Sequence, residues 1–286
     1  WRHVVSPGEY AEQVAGIGLR VDQEWKERAA AIFGDAYTGH HEPLERGLWE
    51  RSRWAITLDG AHLEVGLDVM DRHGRADLFL LYLRGFDVLG HAFWRYVEPH
   101  AFVNPPSPES AARYSGALQA YCRFLDVALG RVIDKAGRNA TVLVLSDHGM
   151  RGTNLSGEFN PLQNPKDLLS GGHEEAEPGV FIAAGPGIRG GSPLPAGLRV
   201  QDLPIVGGVL DVAPTLLALK GLPVGEDMDG AVLTSILDDG HLRDHPLSRV
   251  ASHDDLEGAP ADPEHALSEE DAQDRLEELR SLGYVN

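Results

Sequence analysis

Two carboxylate–imidazole pairs stand out in this chain of 286 residues: Asp87 with His91, and Asp147 with His148. Aspartate and neutral histidine are ligands for divalent metals, and both spacings suit that use. Four residues apart on a helix, Asp87 and His91 would share one face, within reach of one ion. Asp147 and His148 are adjacent in Ser146-Asp147-His148-Gly149, where an apolar run ends and Gly149 would let the backbone turn sharply. A third imidazole, His173, follows Ser170-Gly171-Gly172 and carries little local signal. His40-His41 forms another pair, but with no third ligand nearby it reads as solvated loop. Each feature has an ordinary counterpart too: a surface ion pair at i,i+4, or a polar turn after a core strand.

The elements that would position these residues decide between the two. Thr141-Val142-Leu143-Val144-Leu145 reads as a strand buried on both faces. Asp77-Leu78-Phe79-Leu80-Leu81-Tyr82-Leu83 reads as a second, and both metal-type pairs directly follow such a run. In an open parallel sheet, ligands bind beyond the carboxyl ends of the strands. Between the two runs, Ser107-Pro108 starts a long helix with a stripe of Tyr114, Leu118, Tyr121, Leu125, Leu129 and Val132. The order is strand, pair, helix, strand, pair, which predicts a right-handed βαβ crossover. The fold class is therefore α/β, a mostly parallel central sheet sandwiched by helices.

The rest of the chain is less informative about chemistry. Ser6-Pro7-Gly8-Glu9 is a capping box that predicts a helix to about Phe33. Residues 34–53 read as loop and short helix with Trp49 and Trp54 as packing anchors, and residues 60–72 as a helix with Leu63, Leu67 and Met70 on one face. A long polar stretch follows Met150. A third strand spans residues 179–184, closed by Gly185-Pro186-Gly187. Asp211 is expected to cap a helix through Leu217. Residues 240–266 should be loose acidic chain, and residues 268–286 a terminal amphipathic helix with a stripe of Leu276, Leu279 and Leu282.

Composition narrows the function classes. The chain is 42% hydrophobic, enough for a sizeable core. Cys122 is its one cysteine, so no intrachain disulfide forms. No apolar run approaches membrane-spanning length. The net charge is −19, of which −13 lies after residue 225, where 17 acids face 4 arginines. Such a surface argues against binding polymeric nucleic acid but admits a small anionic substrate held through metal. The chain begins at Trp1 rather than methionine and is read as a mature or truncated form.

Taken together, these segments resemble the alkaline phosphatase superfamily, most closely its type I phosphodiesterase/nucleotide pyrophosphatase branch. The resemblance rests on Tyr82-Leu83-Arg84-Gly85-Phe86-Asp87 through His91-Ala92-Phe93-Trp94, on Ser146-Asp147-His148-Gly149, and on Gly172-His173 ahead of residues 179–187. It continues in Asp211-Val212-Ala213-Pro214-Thr215-Leu216-Leu217 and in Leu279-Arg280-Ser281-Leu282-Gly283-Tyr284-Val285. It covers residues 76 to the end, and residues 1–75 match less distinctively.

The resemblance implies a hydrolase of phosphodiester or pyrophosphate bonds, a small phosphate-ester substrate, and two divalent metal ions, zinc or alternatively manganese. Asp87, His91 and His173 would hold one ion, and Asp147 and His148 the other. It also implies a hydroxyl nucleophile, a phospho-enzyme intermediate and a sixth metal ligand from the N-terminal part of the domain. Neither the nucleophile nor that ligand is recognisable ahead of Asp77. Thr57-Leu58-Asp59-Gly60 has a similar look but no apolar strand before it. The chain is accordingly expected to be the C-terminal portion of an alkaline phosphatase-like domain, poorly active by itself. Its parts would be a helical segment (1–75), a metal-binding α/β core (76–237), an acidic linker (238–267) and a docking helix (268–286). The alternatives are a sulfatase, a cofactor-independent phosphoglycerate mutase or a non-catalytic metal-binding module.

Overall fold

Apolar residues at helical spacing build the first part of the molecule. In a computed structural model, which describes residues 10–39, 41–153, 155, 169–174, 176–191, 202–253 and 273, Val14, Ile17 and Val21 form the buried stripe of helix α1 (Ala11–Gln23). Val21 and Ile17 pack on Ala61 of α4 (Pro43–His73). Between them, α2 (Trp25–Phe33) and α3 (Asp35–Thr38) lead into α4. Helix α5 (Gly85–Val97) follows, then α6 (Pro108–Tyr114) and α7 (Ala117–Ala136). The Ser107 hydroxyl accepts the Ser110 N–H at 3.1 Å, as the Ser-Pro start predicts.

One aromatic core joins these helices. Trp25, Phe33, Trp49, Phe93, Tyr96, Tyr114 and Tyr121 are all buried in it. Trp49 sits at its centre, with ring centroids 4.6 Å from Phe93 and 4.8 Å from Phe33. Trp49 is thus the anchor the sequence suggested, while Trp54 is only partly buried. The expected loop over residues 34–53 is instead mostly helix, since α4 runs unbroken for 31 residues. His41 is not a solvated loop residue either: it stacks on Tyr114 and shares a 2.7 Å hydrogen bond with its hydroxyl. His40 lies outside the described residues, as do residues 6–9, most of the polar stretch after Met150, and Leu276, Leu279 and Leu282.

The strands are short. β1 (Val142–Leu145) pairs antiparallel with β4 (Phe181–Ala184), Val142 opposite Ala184 and Leu145 opposite Phe181. β2 (Arg151–Gly152) pairs antiparallel with β3 (Gly171–Gly172), and β5 (Val224–Gly225) pairs parallel with β6 (Arg249–Val250). The molecule is a helix-rich α/β structure with two-stranded sheets. The large, mostly parallel sheet and βαβ crossover expected from the sequence are not formed among the described residues. Residues 77–83 explain part of the difference. They are extended but belong to no ladder; Phe79 and Leu81 turn inward while Leu78, Leu80 and Tyr82 are exposed. An unbroken apolar run cannot reveal that alternation.

Two further expectations change in the C-terminal part. Helix α8 (Val212–Leu219) begins after Asp211, but that carboxylate does not cap it. It accepts the N–H groups of Gly208 and Ala231, at 2.8 and 2.7 Å, and so ties two loops together. Of the stretch 240–266 expected to be loose, the described residues 240–253 are partly ordered: α9 (Asp239–Asp244) forms under an Asp238 cap, and β6 follows. No helix of the described residues is long and apolar enough to cross a membrane.

Candidate metal centre

Asp87 and His91 are held by α5, which is locked into the aromatic core through Leu89, Phe93 and Tyr96. The i,i+4 spacing does what helical geometry requires: His91 Nε2 lies 3.3 Å from Asp87 Oδ1. The loop after β1 brings Asp147 and His148 to the same place, with His148 Nε2 3.9 Å from Asp87 Oδ1 and 3.7 Å from Asp147 Oδ1. His173, directly after β3, completes the group, its ring centroid 4.4 Å from that of His148 and 5.4 Å from that of His91. One ligand atom each from Asp87, His148 and His173 lie within 4.8 Å of one another. His91 lies beside Asp87, and Asp147 beside His148, at the edge of this trio. The trio that meets most closely draws on both of the ligand sets the family resemblance implies.

Backbone hydrogen bonds hold these segments in register. The Ser170 N–H donates to the His91 carbonyl at 2.7 Å, and the Ser170 hydroxyl accepts the Arg95 N–H at 3.1 Å. His91 Nδ1 lies 2.7 Å from the Gly171 carbonyl, a contact that requires the proton on Nδ1. Nε2, the other ring nitrogen, is buried and faces the Asp87 carboxylate. The loop after β1 is clipped down by the Ser146 N–H to the Val180 carbonyl, 2.9 Å, and the Val180 N–H to the Ser146 hydroxyl, 2.8 Å. Gly149 matters here for space and not for a left-handed turn, as a Cβ at that position would lie 2.1 Å from the Glu177 carbonyl oxygen. Ser170 is the residue sequence reasoning missed. A serine beside two glycines looks like any loop, and only its burial at 3% exposure gives it away.

Charge follows the geometry. Burial pushes the Asp87 carboxyl up, but the contact with His91 and the charges of His91, His148 and His173 outweigh it, leaving it below the usual carboxylate value. Burial pulls His91 down, and Asp87 more than reverses this, so its imidazole is held above its ordinary value. His173 goes the other way, lowered by burial and then by His148 and His91. A neutral His173 is the form that binds metal.

A carboxylate, imidazoles and no thiolate suit zinc or another borderline divalent ion. Two donors each about 2.0–2.1 Å from one zinc sit at most about 4 Å apart, so a spread of 4.8 Å closes with small rotamer shifts. The residues present thus fit a divalent metal. Asp87 is well shielded, its side chain 15% exposed, whereas that of Asp147 is 58% exposed and stands at the rim.

The family model for type I phosphodiesterase/nucleotide pyrophosphatase matches residues 6–183, more than half of the chain. The match takes in the N-terminal helices, which the motifs alone left out, and ends within β4, before Asp211 and residues 279–285. No curated protein and no solved structure matches the chain.

Proposed function

The chain belongs to the type I phosphodiesterase/nucleotide pyrophosphatase family, hydrolases of phosphodiester and pyrophosphate bonds, and from that premise we propose that it binds two divalent metal ions, zinc or manganese, and uses them to cleave a small phosphate ester. In this reading Asp87, His91 and His173 hold one ion and Asp147 and His148 the other, the sheet and domain organisation being that of an alkaline phosphatase-like core. The observation that carries it is the convergence of Asp87, His148 and His173 within 4.8 Å. Such a pair of ions would supply stabilisation to the attacking and leaving oxygens of an in-line displacement. The chain's own groups supply the framework. Asp87 offers a shielded carboxylate, His91 presents Nε2 because its Nδ1–H is given to the Gly171 carbonyl, and neutral imidazole ligands would leave the positive charge of the ions to offset that of an anionic substrate. All five residues are assigned to metal binding and none to nucleophilic attack.

Metal analysis tests this directly. The chain dialysed against zinc should retain it, and His173→Ala or His148→Ala should weaken retention by more than about 100-fold, beyond what outer-shell changes cost. His40→Ala, outside every motif, should not. Turnover of a chromogenic phosphodiester, if present, should fall with metal content. Failure of the wild-type chain to retain zinc or manganese would refute the two-metal reading, and retention without turnover would support the metal-binding module or a C-terminal portion that is poorly active by itself.

A further inference from the structure

Asp59 is an unexpected residue to find in the middle of a helix core. It lies on α4 and is 0% exposed. A buried carboxylate is costly unless its lone pairs are satisfied, and here the partners are informative. One oxygen accepts the Arg84 N–H at 2.8 Å; the other accepts the Gly85 N–H at 2.8 Å and the Tyr121 hydroxyl at 2.5 Å. Arg84 and Gly85 are the cap and first residue of α5, the helix that carries Asp87 and His91. The first N–H groups of a helix have no partner within it, and the Arg84 side chain makes no cap of its own. A carboxylate from a neighbouring helix fills that role, where the helix dipole also favours negative charge.

The surroundings leave this junction little freedom. A Cβ at position 85 would fall 1.9 Å from the Tyr121 hydroxyl oxygen and 2.7 Å from Asp59 Oδ2, so only glycine fits. One turn before Asp59, Trp54 lies under the Arg84 guanidinium at 5.2 Å. One turn after it, His62 Nδ1 meets the Tyr82 carbonyl at 2.9 Å. Successive turns of α4 thus grip residues 82, 84 and 85, and the next residue but one is Asp87. We infer that Asp59 is a positioning residue for the metal centre: through the Arg84 and Gly85 N–H groups it sets the position of the first turn of α5, and so the place of the Asp87 carboxylate relative to His148 and His173. This rests on the metal-binding reading above.

The test is the zinc affinity of the full 286-residue chain, with zinc alone as probe, alongside urea unfolding of the metal-free protein. Asp59→Asn keeps the shape but places an NH2 group against donors. It should weaken zinc binding by about 10- to 100-fold, the usual cost of losing an outer-shell partner, without changing stoichiometry. Leu67→Ala, also on α4 but in the separate cluster with Leu63 and Ala128, is the control; it should lower stability and leave zinc affinity within about twofold of wild type. Equal affinity in wild type and folded Asp59→Asn overturns the inference, and so does an equal loss in Leu67→Ala. If Asp59→Asn does not fold, Tyr121→Phe removes one of the three donors and should weaken zinc severalfold, unchanged affinity again overturning it. A wild-type chain that binds no zinc would instead refute the metal reading itself, so the two failures are distinguishable.

Discussion

The helices up to α7 and the strands after it are built on different terms, and the metal centre spans both. In the first part, aromatic side chains from α2, α4, α5, α6 and α7 bury one another around Trp49. In the second, the longest ladder is β1 with β4, four residues each, and Leu145 and Ile182 remain exposed. Asp87 and His91 stand on the first part and Asp147 and His148 on the second. Their shielding follows: the carboxylate on α5 is largely covered and the one after β1 largely open. The better-shielded half of the candidate site is the half on α5, most of whose residues are buried.

Truncating one residue on each side should give the largest contrast. Trp49→Ala removes a side chain only 2% exposed and should cost about 3–5 kcal/mol, as large-to-small aromatic changes in cores do. Ile182→Ala on β4, 57% exposed, should cost less than about 1 kcal/mol. Urea unfolding of both variants measures this; similar losses would mean the strand part is as tightly packed as the helical part.

A smaller contrast is expected from the two serines that clip site segments in place. Ser170→Ala removes a buried hydroxyl that accepts the Arg95 N–H at 3.1 Å and should cost about 0.5–1.5 kcal/mol. Ser146→Ala removes the acceptor of the Val180 N–H, but at a solvent-exposed position where water replaces it, and should cost about 0.5 kcal/mol or less. Comparable losses would show that the loop after β1 is held as firmly as the β3–α5 junction.

The sequence was most legible where a local rule and the tertiary structure agree. The i,i+4 pair of Asp87 and His91, the Ser107 cap and the strand before Asp147 are short-range patterns, and each appears where expected, although that strand is half-exposed and not buried on both faces. Helix α4 is longer than the expected 60–72 and runs through Gly47, Gly60 and Gly66. Two of them are places where a neighbour comes close: a Cβ at Gly60 would meet Val21 at 3.0 Å, and one at Gly66 would meet Phe79 at 2.9 Å. Residues 77–83 misled in the opposite way, because aliphatic content alone does not say which neighbours a strand will find. Asp59 was read only as part of a possible strand-end motif. Its partners lie 25 to 62 residues further on, so no window around it could have exposed its role.

The smallest effect sets one buried carboxylate against one near the surface, and it has opposite signs in the two parts of the molecule. In the helical part, burial raises Asp59 despite the hydrogen bonds from Tyr121, Gly85 and Arg84 that pull it down. As pH rises past the ordinary aspartate value of about 3.9, the unfolded chain loses this proton first, so the contribution of Asp59 to stability declines until pH exceeds its folded value. In the strand part, the Ala231 and Gly208 N–H groups lower Asp211. Its contribution is complete above the ordinary value and is lost as pH falls through its folded value. In metal-free protein, then, the stability of Asp59→Asn relative to wild type should improve as pH rises above about 4, while that of Asp211→Asn should improve on acidification below about pH 4. Unfolding free energies of the three proteins across that range decide it. Parallel pH profiles for both variants would mean that the two carboxylates feel the same surroundings, and the contrast between a buried helix junction and a surface loop tie would be lost.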